Sequence, residues 1–416
     1  MSKMRIIYES VAGLDVQKKT VVAAVIVKDS QEAWQHHKRT FGTMTADLLA
    51  LSDWLMQHGV THVAMESTGE FWKPVFNILE NNFEVFVVNA QHISRVPGRK
   101  TDQSDTEWIA ELMQYGLLQA SFIPPAGQRE LRDLTRHRAN FVRERVNLVN
   151  RVQKVLETAN IKLSSVATDI MGVSGRAMLQ ALIEGQASPE EMAELAKGRM
   201  RDKREQLAQA LDGRVKAHHR FILTELLCEI DHLEELITRF DQEIETYCHP
   251  FEWAVKLLDT IPGVGREAAE VIVSEIGTDM SRFPTAAHLS AWAGVAPGNN
   301  ESGGKRRSGR TRKGNQALGV ALNQSANAAT HVKNCYLAEQ YHRLAARRGK
   351  KRAIVAVSHS ILIIAYHLIR KREPYQEKGA DYFEKRRPEA RLNYHMKGIE
   401  RLGYQVDLRP KDSLPA

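Results

Sequence analysis

The chain has 416 residues, 43% hydrophobic and 26% charged, with a net charge of +8. That length exceeds one ordinary core, so two to three domains are expected, and the composition is ordinary for a globular protein. Residues 301–416 carry a net +15, leaving −7 on the rest, a distribution that points to a polyanionic partner. The three cysteines, Cys228, Cys248 and Cys335, are far apart and form no CxxC pair; this argues against a disulfide framework or structural zinc and fits a reducing cytoplasm. No signal peptide is visible at the N-terminus, and no membrane association is expected. The longest apolar run, Ala353 to Ile369, is shorter than the ~20 residues that span a bilayer, so a buried helix is the expectation.

In chain order, Val11–Val16, Thr20–Val27 and Gln35–Phe41 read as strands, the second rich in valine and isoleucine. Ala46–His58 has leucines at helical spacing, Thr61–Glu66 is a short strand, Trp72–Leu79 a helix and Phe83–Asn89 a strand. This is an α/β order with a mixed sheet. Pro97-Gly98-Arg99-Lys100 breaks it, and Thr101 can cap a helix running to about Tyr115. Pro124-Pro125 marks a boundary, beyond which long charged helices follow. Arg129 to Glu157 is one. Leu223, Leu226, Ile230, Leu233, Ile237, Phe240, Ile244 and Tyr247 form a heptad seam on another, and dimerisation through it is favoured over an intramolecular hairpin. Four segments result: an acidic α/β domain over 1–125, a helical coiled-coil region over 126–250, a compact helical domain over 251–344, and a basic helical extension over 345–416.

Asp15 stands in Gly13-Leu14-Asp15-Val16, within a strand of apolar neighbours, where a carboxylate is costly unless paired or bound to metal. Glu66 closes its strand, and strand ends beside loops are where ligands bind in α/β sheets. Asp102 and Asp105, three apart at a helix start, share one face. Hard oxygen donors from several elements suit Mg²⁺, with Mn²⁺ a second option, acting on a phosphodiester. Ile261-Pro262-Gly263-Val264-Gly265 before Arg266 resembles a helix-hairpin-helix turn, in which Gly263, Gly265 and the helix start with Arg266 would meet a DNA phosphate. Ser302 opens a loop holding Lys305, Arg306, Arg307, Arg310, Arg312 and Lys313, a salt-sensitive backbone contact. A serine there could act as a nucleophile if activated; spacing alone does not separate Ser302 from Ser308.

Gly13-Leu14-Asp15-Val16, Glu66-Ser67-Thr68-Gly69, Lys100-Thr101-Asp102-Gln103-Ser104-Asp105, Ile261-Pro262-Gly263-Val264-Gly265 and Ser302-Gly303-Gly304-Lys305 occur in one order. That order resembles the bacterial DEDD-type insertion-sequence transposases, also described as bridge-RNA-guided serine recombinases, across nearly the whole chain. The resemblance implies an RNase H-like (RuvC-like) domain, a coiled-coil insertion and a helical transposase domain. It implies that Asp15, Glu66, Asp102 and Asp105 bind metal and that Ser302, not Ser308, forms a phosphoserine link to DNA. It further implies a noncoding guide RNA that pairs with donor and target DNA, and dimers assembling to a tetramer in which the two sites meet across protomers. The place of action would be the bacterial cytoplasm, at the nucleoid. Two other readings compete: a metal-dependent, water-using nuclease of the Holliday-junction resolvase type, and a non-catalytic DNA-architectural protein.

Overall fold

The structure is a computed structural model and describes residues 5–28, 33–67, 69–93, 104–298, 300–386 and 388–407. The chain divides into two compact units, Met1–Ile123 and Pro124–Ala416.

The first unit is built on a five-stranded mixed sheet in the order β3-β2-β1-β4-β5. Its strands are β1 (Val11–Val16), β2 (Thr20–Lys28), β3 (Trp34–Gly42), β4 (His62–Glu66) and β5 (Glu84–Val88). Strands β1, β2 and β3 form an antiparallel meander, and β4 and β5 add in parallel. A central strand with helices on both faces must be apolar on both, and β1 is: every residue in it is buried except the half-buried Asp15. On one face Ala12, Leu14, Val63 and Met65 pack with α1 (Thr45–Gln57) and α2 (Trp72–Leu79) through Leu51, Leu55, Val75 and Leu79. The opposite face carries Val11, Ala64 and Val88 under Trp108, Ile109, Leu112 and Met113 of α4 (Asp105–Gln114), with the short α3 (Ala90–Ile93) beside it. Helix α4 starts later than the sequence suggests. Its cap is Ser104, in a capping box with Glu107, because Ser-x-x-Glu satisfies two orphan N–H groups at once. Thr101, the expected cap, lies outside the described residues.

In the second unit α5 (Ala126–Thr158) and α10 (Ala217–Cys248) lie antiparallel as one long helical hairpin. Arg145 pairs with Glu234 and Arg138 with Asp241, and the Phe141 and Phe240 rings meet at 5.1 Å. The heptad face of α10 is thus occupied within the chain, by α5. The buried stripe also drifts from the expected seam. Leu227 and Cys248 are buried in place of Leu226, which is half-buried, and Tyr247, which is 36% exposed. A straight helix of 3.6 residues per turn walks away from a 3.5-residue repeat. Between the two long helices sit α6 (Leu163–Val166), α7 (Val173–Glu184), α8 (Pro189–Glu194) and α9 (Arg204–Leu211), sharing a core with the hairpin through Leu156, Met178, Leu207 and Leu223.

Helices α11 (Glu252–Asp259), α12 (Arg266–Ile276) and α13 (Ala286–Trp292) follow, then a two-stranded sheet, β6 (Asn300–Ser302) and β7 (Lys305–Ser308). Next come α14 (Gln316–Ala329), α15 (Tyr336–Arg348), α16 (Lys350–Lys371), α17 (Tyr382–Lys385) and α18 (Pro388–Glu400). Helix α16 is long and apolar enough to cross a membrane. Here it packs among α11, α13, α14 and α15, with Val357, Ile361, Leu362, Ala365 and Tyr366 buried. It is a core helix of the same body as α11–α15, not part of a separate extension.

Candidate active site

In the first unit the strand register sorts the acids. Gly13 pairs with Ala64, and Leu14 with Met65, so Asp15 and Glu66 stand side by side one step beyond the last paired residues. Adjacent strands lie about 4.8 Å apart. Side chains alternate between faces along a strand. Asp15 therefore shares the face of Val11 and Gly13, and Glu66 that of Ala64: both point to the α4 side. Both are half-buried. Asp15 Oδ2 accepts from Gln17 Nε2 at 3.0 Å.

Helix α4 runs antiparallel to β1 on this face. Its last carbonyl, on Gln114, accepts from the Ile7 and Tyr8 amides at 2.9 and 3.1 Å. Farther up, a methyl group on Gly13 would lie 2.2 Å from the Thr106 carbonyl oxygen and 2.5 Å from the Ala110 nitrogen. Only glycine admits a helix backbone this close to a strand. The N-terminus of α4, with Asp105 as its first residue, is thereby brought toward the strand ends that carry Asp15 and Glu66. Lys38 on β3 ties that helix end to the sheet: its Nζ donates to Ser104 Oγ at 2.9 Å and lies 3.3 Å from Glu107 Oε1. The hydrogen bond from Ser104 holds the Glu107 carboxyl below its ordinary range, against a smaller opposing effect of burial. The Ser104-x-x-Glu107 signature was legible in the sequence; Lys38, a lone lysine on an edge strand, was not.

Oxygen donors from two parallel strand ends and a helix start are what a hard divalent cation takes. Among the described residues, no three His, Cys, Asp or Glu side chains are gathered closely enough to hold an ion. Asp102, expected on one helical face with Asp105, lies outside the described residues, and the helix begins only at Asp105.

The basic loop expected over 301–313 is instead a β-hairpin. Ser302 pairs with Lys305 across a two-residue turn in which Gly303 and Gly304 have φ of 59° and 71°. Two successive positive φ values make a type I′ turn, the form that matches strand twist, and Gly-Gly adopts it without strain. Below the hairpin the flanking runs continue side by side. A Cβ on Gly298 would lie 2.1 Å from the Arg310 carbonyl, and one on Gly314 2.3 Å from the Ala293 carbonyl. Ser302 thus stands next to the tip of a long two-stranded arm. Lys305, Arg310, Arg312 and Lys313 are exposed along it, and Arg306 and Arg307 lie on β7. The competing Ser308 accepts a hydrogen bond from the Arg310 amide at 3.1 Å.

The base of the arm is anchored by a residue the sequence did not single out. Glu275 on α12 is fully buried. Its carboxylate accepts from Arg136 Nε and Nη2 at 2.7 and 3.0 Å, lies 3.2 Å from Arg132 Nε, and accepts from Asn315 Nδ2 at 2.5 Å. Asn315 in turn caps α14 at the Leu318 amide. The cluster joins α5, α12 and the foot of the arm, and nothing local in the sequence announces it.

The Ile261–Gly265 turn is also built for packing. Gly263 has φ of 85°, and a Cβ there would lie 2.4 Å from both Ser325 O and Ala329 N of α14. The Arg266 guanidinium is held by Glu252 at 2.9 Å through both terminal nitrogens and by Glu270 at 2.9 Å through Nε. That pairing raises the Arg266 pKa and lowers that of Glu252, whereas burial dominates at Glu270 and raises it. Of the three residues expected to touch DNA here, Gly263 faces α14, Arg266 is committed to two carboxylates, and Gly265 has open space about it.

Comparison with known proteins finds two transposase models that match parts of the chain. A transposase model of the IS110 DEDD type matches residues 12–161, and the model described as Transposase IS116/IS110/IS902 family matches residues 255–343. The chain is 23% identical to a pilin gene-inverting protein of Moraxella lacunata over 88% of its own length and 97% of the relative. It is 25% identical to the transposase for insertion sequence element IS1111A of Coxiella burnetii, over 70% of the chain and 72% of that protein. A probable family 20 transposase of Pseudomonas aeruginosa is 25% identical over 64% of the chain and 70% of that protein.

Proposed function

We propose that this chain, which carries both domains of the IS110/IS116 transposase family, cuts and rejoins DNA through a covalent serine intermediate. The observation that carries the reading is a pairing of two placements. Asp15 and Glu66 share one sheet face beside the start of α4, and Ser302 adjoins the type I′ tip of a basic arm. Kinship with a pilin gene-inverting protein, named for rearranging a DNA segment, favours strand exchange over simple cutting.

In this reading the Ser302 hydroxyl attacks the phosphorus of a scissile phosphodiester. The new Oγ–P bond forms as the bond to one strand end breaks. The serine proton ends on the departing oxygen, so the step balances without water. Attack by another strand end reverses it and restores the serine. Lys305, Arg310, Arg312 and Lys313 hold the backbone around the scissile phosphate. Asp15, Glu66 and Asp105, with Asp102, would hold Mg²⁺ or Mn²⁺. Such an ion, when bound, polarises a phosphoryl oxygen and stabilises developing charge. A noncoding bridge RNA supplies the sequence choice, and dimers assembling to a tetramer bring donor and target DNA together.

The test is capture of the intermediate. The full chain is incubated with its element's flanking DNA, the RNA copied from that flank and Mg²⁺, then denatured and mapped by mass spectrometry. A DNA adduct on Ser302 that disappears in Asp15→Ala and Ser302→Ala is expected. Cut DNA without adduct, unaffected by Ser302→Ala, would replace this mechanism with a water-using nuclease.

A further inference from the structure

A second site, outside the arm and the acidic set, stands at the C-terminal end of α16. The helix finishes Arg370-Lys371-Arg372, and Arg372 occupies the left-handed region at φ 58° and ψ 38°. Glycine or asparagine ordinarily takes that place at a helix end, because a side chain there is strained. The Arg372 guanidinium carbon lies 4.8 Å above the Trp253 ring of α11.

One half-turn away, the Arg370 guanidinium carbon lies 5.9 Å from the centre of the Tyr366 ring, and its Nη1 donates to the Tyr366 hydroxyl at 3.2 Å. That hydroxyl donates to the Phe283 carbonyl at 3.1 Å, and Tyr366 is 1% exposed. Its hydroxyl is therefore a fixed anchor for Arg370. The two arginines, Trp253 and Tyr366 line one cavity of about 460 Å³, within the range of ordinary ligand pockets.

Neither arginine has a carboxylate within ion-pair distance among the described residues, and both residues are exposed. The one carboxylate lining the cavity is Asp279. It accepts from the Ser281 amide and hydroxyl at 3.0 and 2.6 Å and lies 3.5 Å from Arg282 Nε, so its charge is offset locally. The Arg372 guanidinium over Trp253 and the Arg370 guanidinium bonded at the hydroxyl edge of Tyr366 keep further N–H groups, and two such guanidiniums form a fork that suits phosphate. An arginine over a half-buried tryptophan, as Arg372 lies over Trp253, also recurs where proteins hold unpaired bases.

We propose that the Trp253–Tyr366–Arg370–Arg372 cavity binds the phosphate backbone of a single-stranded nucleic acid. This site does not depend on the Ser302 mechanism. Its ligand is either an RNA strand or a displaced DNA strand, which share the chemistry.

The experiment uses the full chain and fluorescein-labelled 20-nucleotide single strands of RNA and of DNA, with a blunt duplex as control. Anisotropy gives Kd and its salt dependence, and Trp253 emission reports occupancy against a Trp253→Phe variant. For Arg370→Gln/Arg372→Gln, single-strand affinity should fall about tenfold or more, and the salt slope should drop by roughly 0.7 for each phosphate no longer neutralised. Arg372→Gly removes the side chain and the backbone strain together. It should melt no lower than the parent protein yet bind the single strand more weakly. Preferential loss for RNA or for DNA supports the site and identifies its strand. Equal losses for duplex and single strand, or wild-type affinity in Arg372→Gly, would overturn it.

Discussion

Replacing Glu275 with alanine tests the structure at its most expensive polar contact. The carboxylate is 0% exposed and faces Arg132, 13% exposed, and Arg136, 43% exposed. Removing one partner of a buried ion pair costs about 3–5 kcal/mol, mostly because the other charge is stranded. Arg136 can turn to water, which discounts its share. Arg132 cannot follow easily, since it also donates to the Ser274 and Glu275 carbonyls at 3.3 and 2.6 Å. Burial already holds its pKa down to about 10, with Glu275 opposing that shift. Asn315 loses a partner as well. The low end, about 3 kcal/mol, is the expected cost, and for a body of this size that lowers the melting temperature by about 6 °C. Glu275→Gln keeps the shape and one acceptor oxygen and should lose about half as much. The assay is thermal unfolding of the full chain by circular dichroism. A Glu275→Ala transition within a degree or two of the parent would refute the idea that this cluster anchors the foot of the arm.

Gly13→Ala places a methyl group 2.2 Å from the Thr106 carbonyl. It should cost about 1–3 kcal/mol and depress recombination by displacing α4; Gly127→Ala, with nothing within 4 Å, is the control, and equal melting of the two variants would sink the claim. Ile230→Asp buries a charge at a 0% exposed position of the hairpin core, so unfolding at lower temperature should accompany any change in mass seen by light scattering. A variant that melts normally would show that α5 does not cover this face. Burial pushes the Cys248 thiol up to about 12 and raises Cys335, whereas Cys228 is exposed. In mildly alkaline buffer iodoacetamide should therefore label Cys228 alone in the native protein, and peptide mapping that finds Cys248 alkylated before unfolding would contradict the packing.

The strands and helices of the first unit were legible because each carries one clear period: the valines of β2, and the leucines of α1. Register then sorted the acids, since Asp15 and Glu66 follow Gly13 and Ala64 by two residues on paired strands. The start of α4 is ambiguous in sequence because Thr101 and Ser104 are both competent caps, and only the glutamate three residues after Ser104 decides between them. The heptad face of α10 was legible, but not its partner: hydrophobic spacing states that a face must be covered, not by what. The arm is silent in sequence because glycines at 294, 298 and 314 act through backbone contact, which leaves no side-chain pattern. Glu275, Arg136 and Asn315 are remote in sequence and meet only by tertiary packing.

From the contact of Gly294 with Gly314 to Ser302 is eight residues, at most ~26 Å of extended chain. Such a ribbon has no core of its own, and its direction is set at its foot. A small tilt there, where Asn315 is bound to the buried carboxylate of α12, sweeps the serine through a distance comparable to a step between base pairs. The foot of the arm is bonded through Asn315 and Glu275 to Arg136 of α5, so the direction of the hairpin is tied to one long helix.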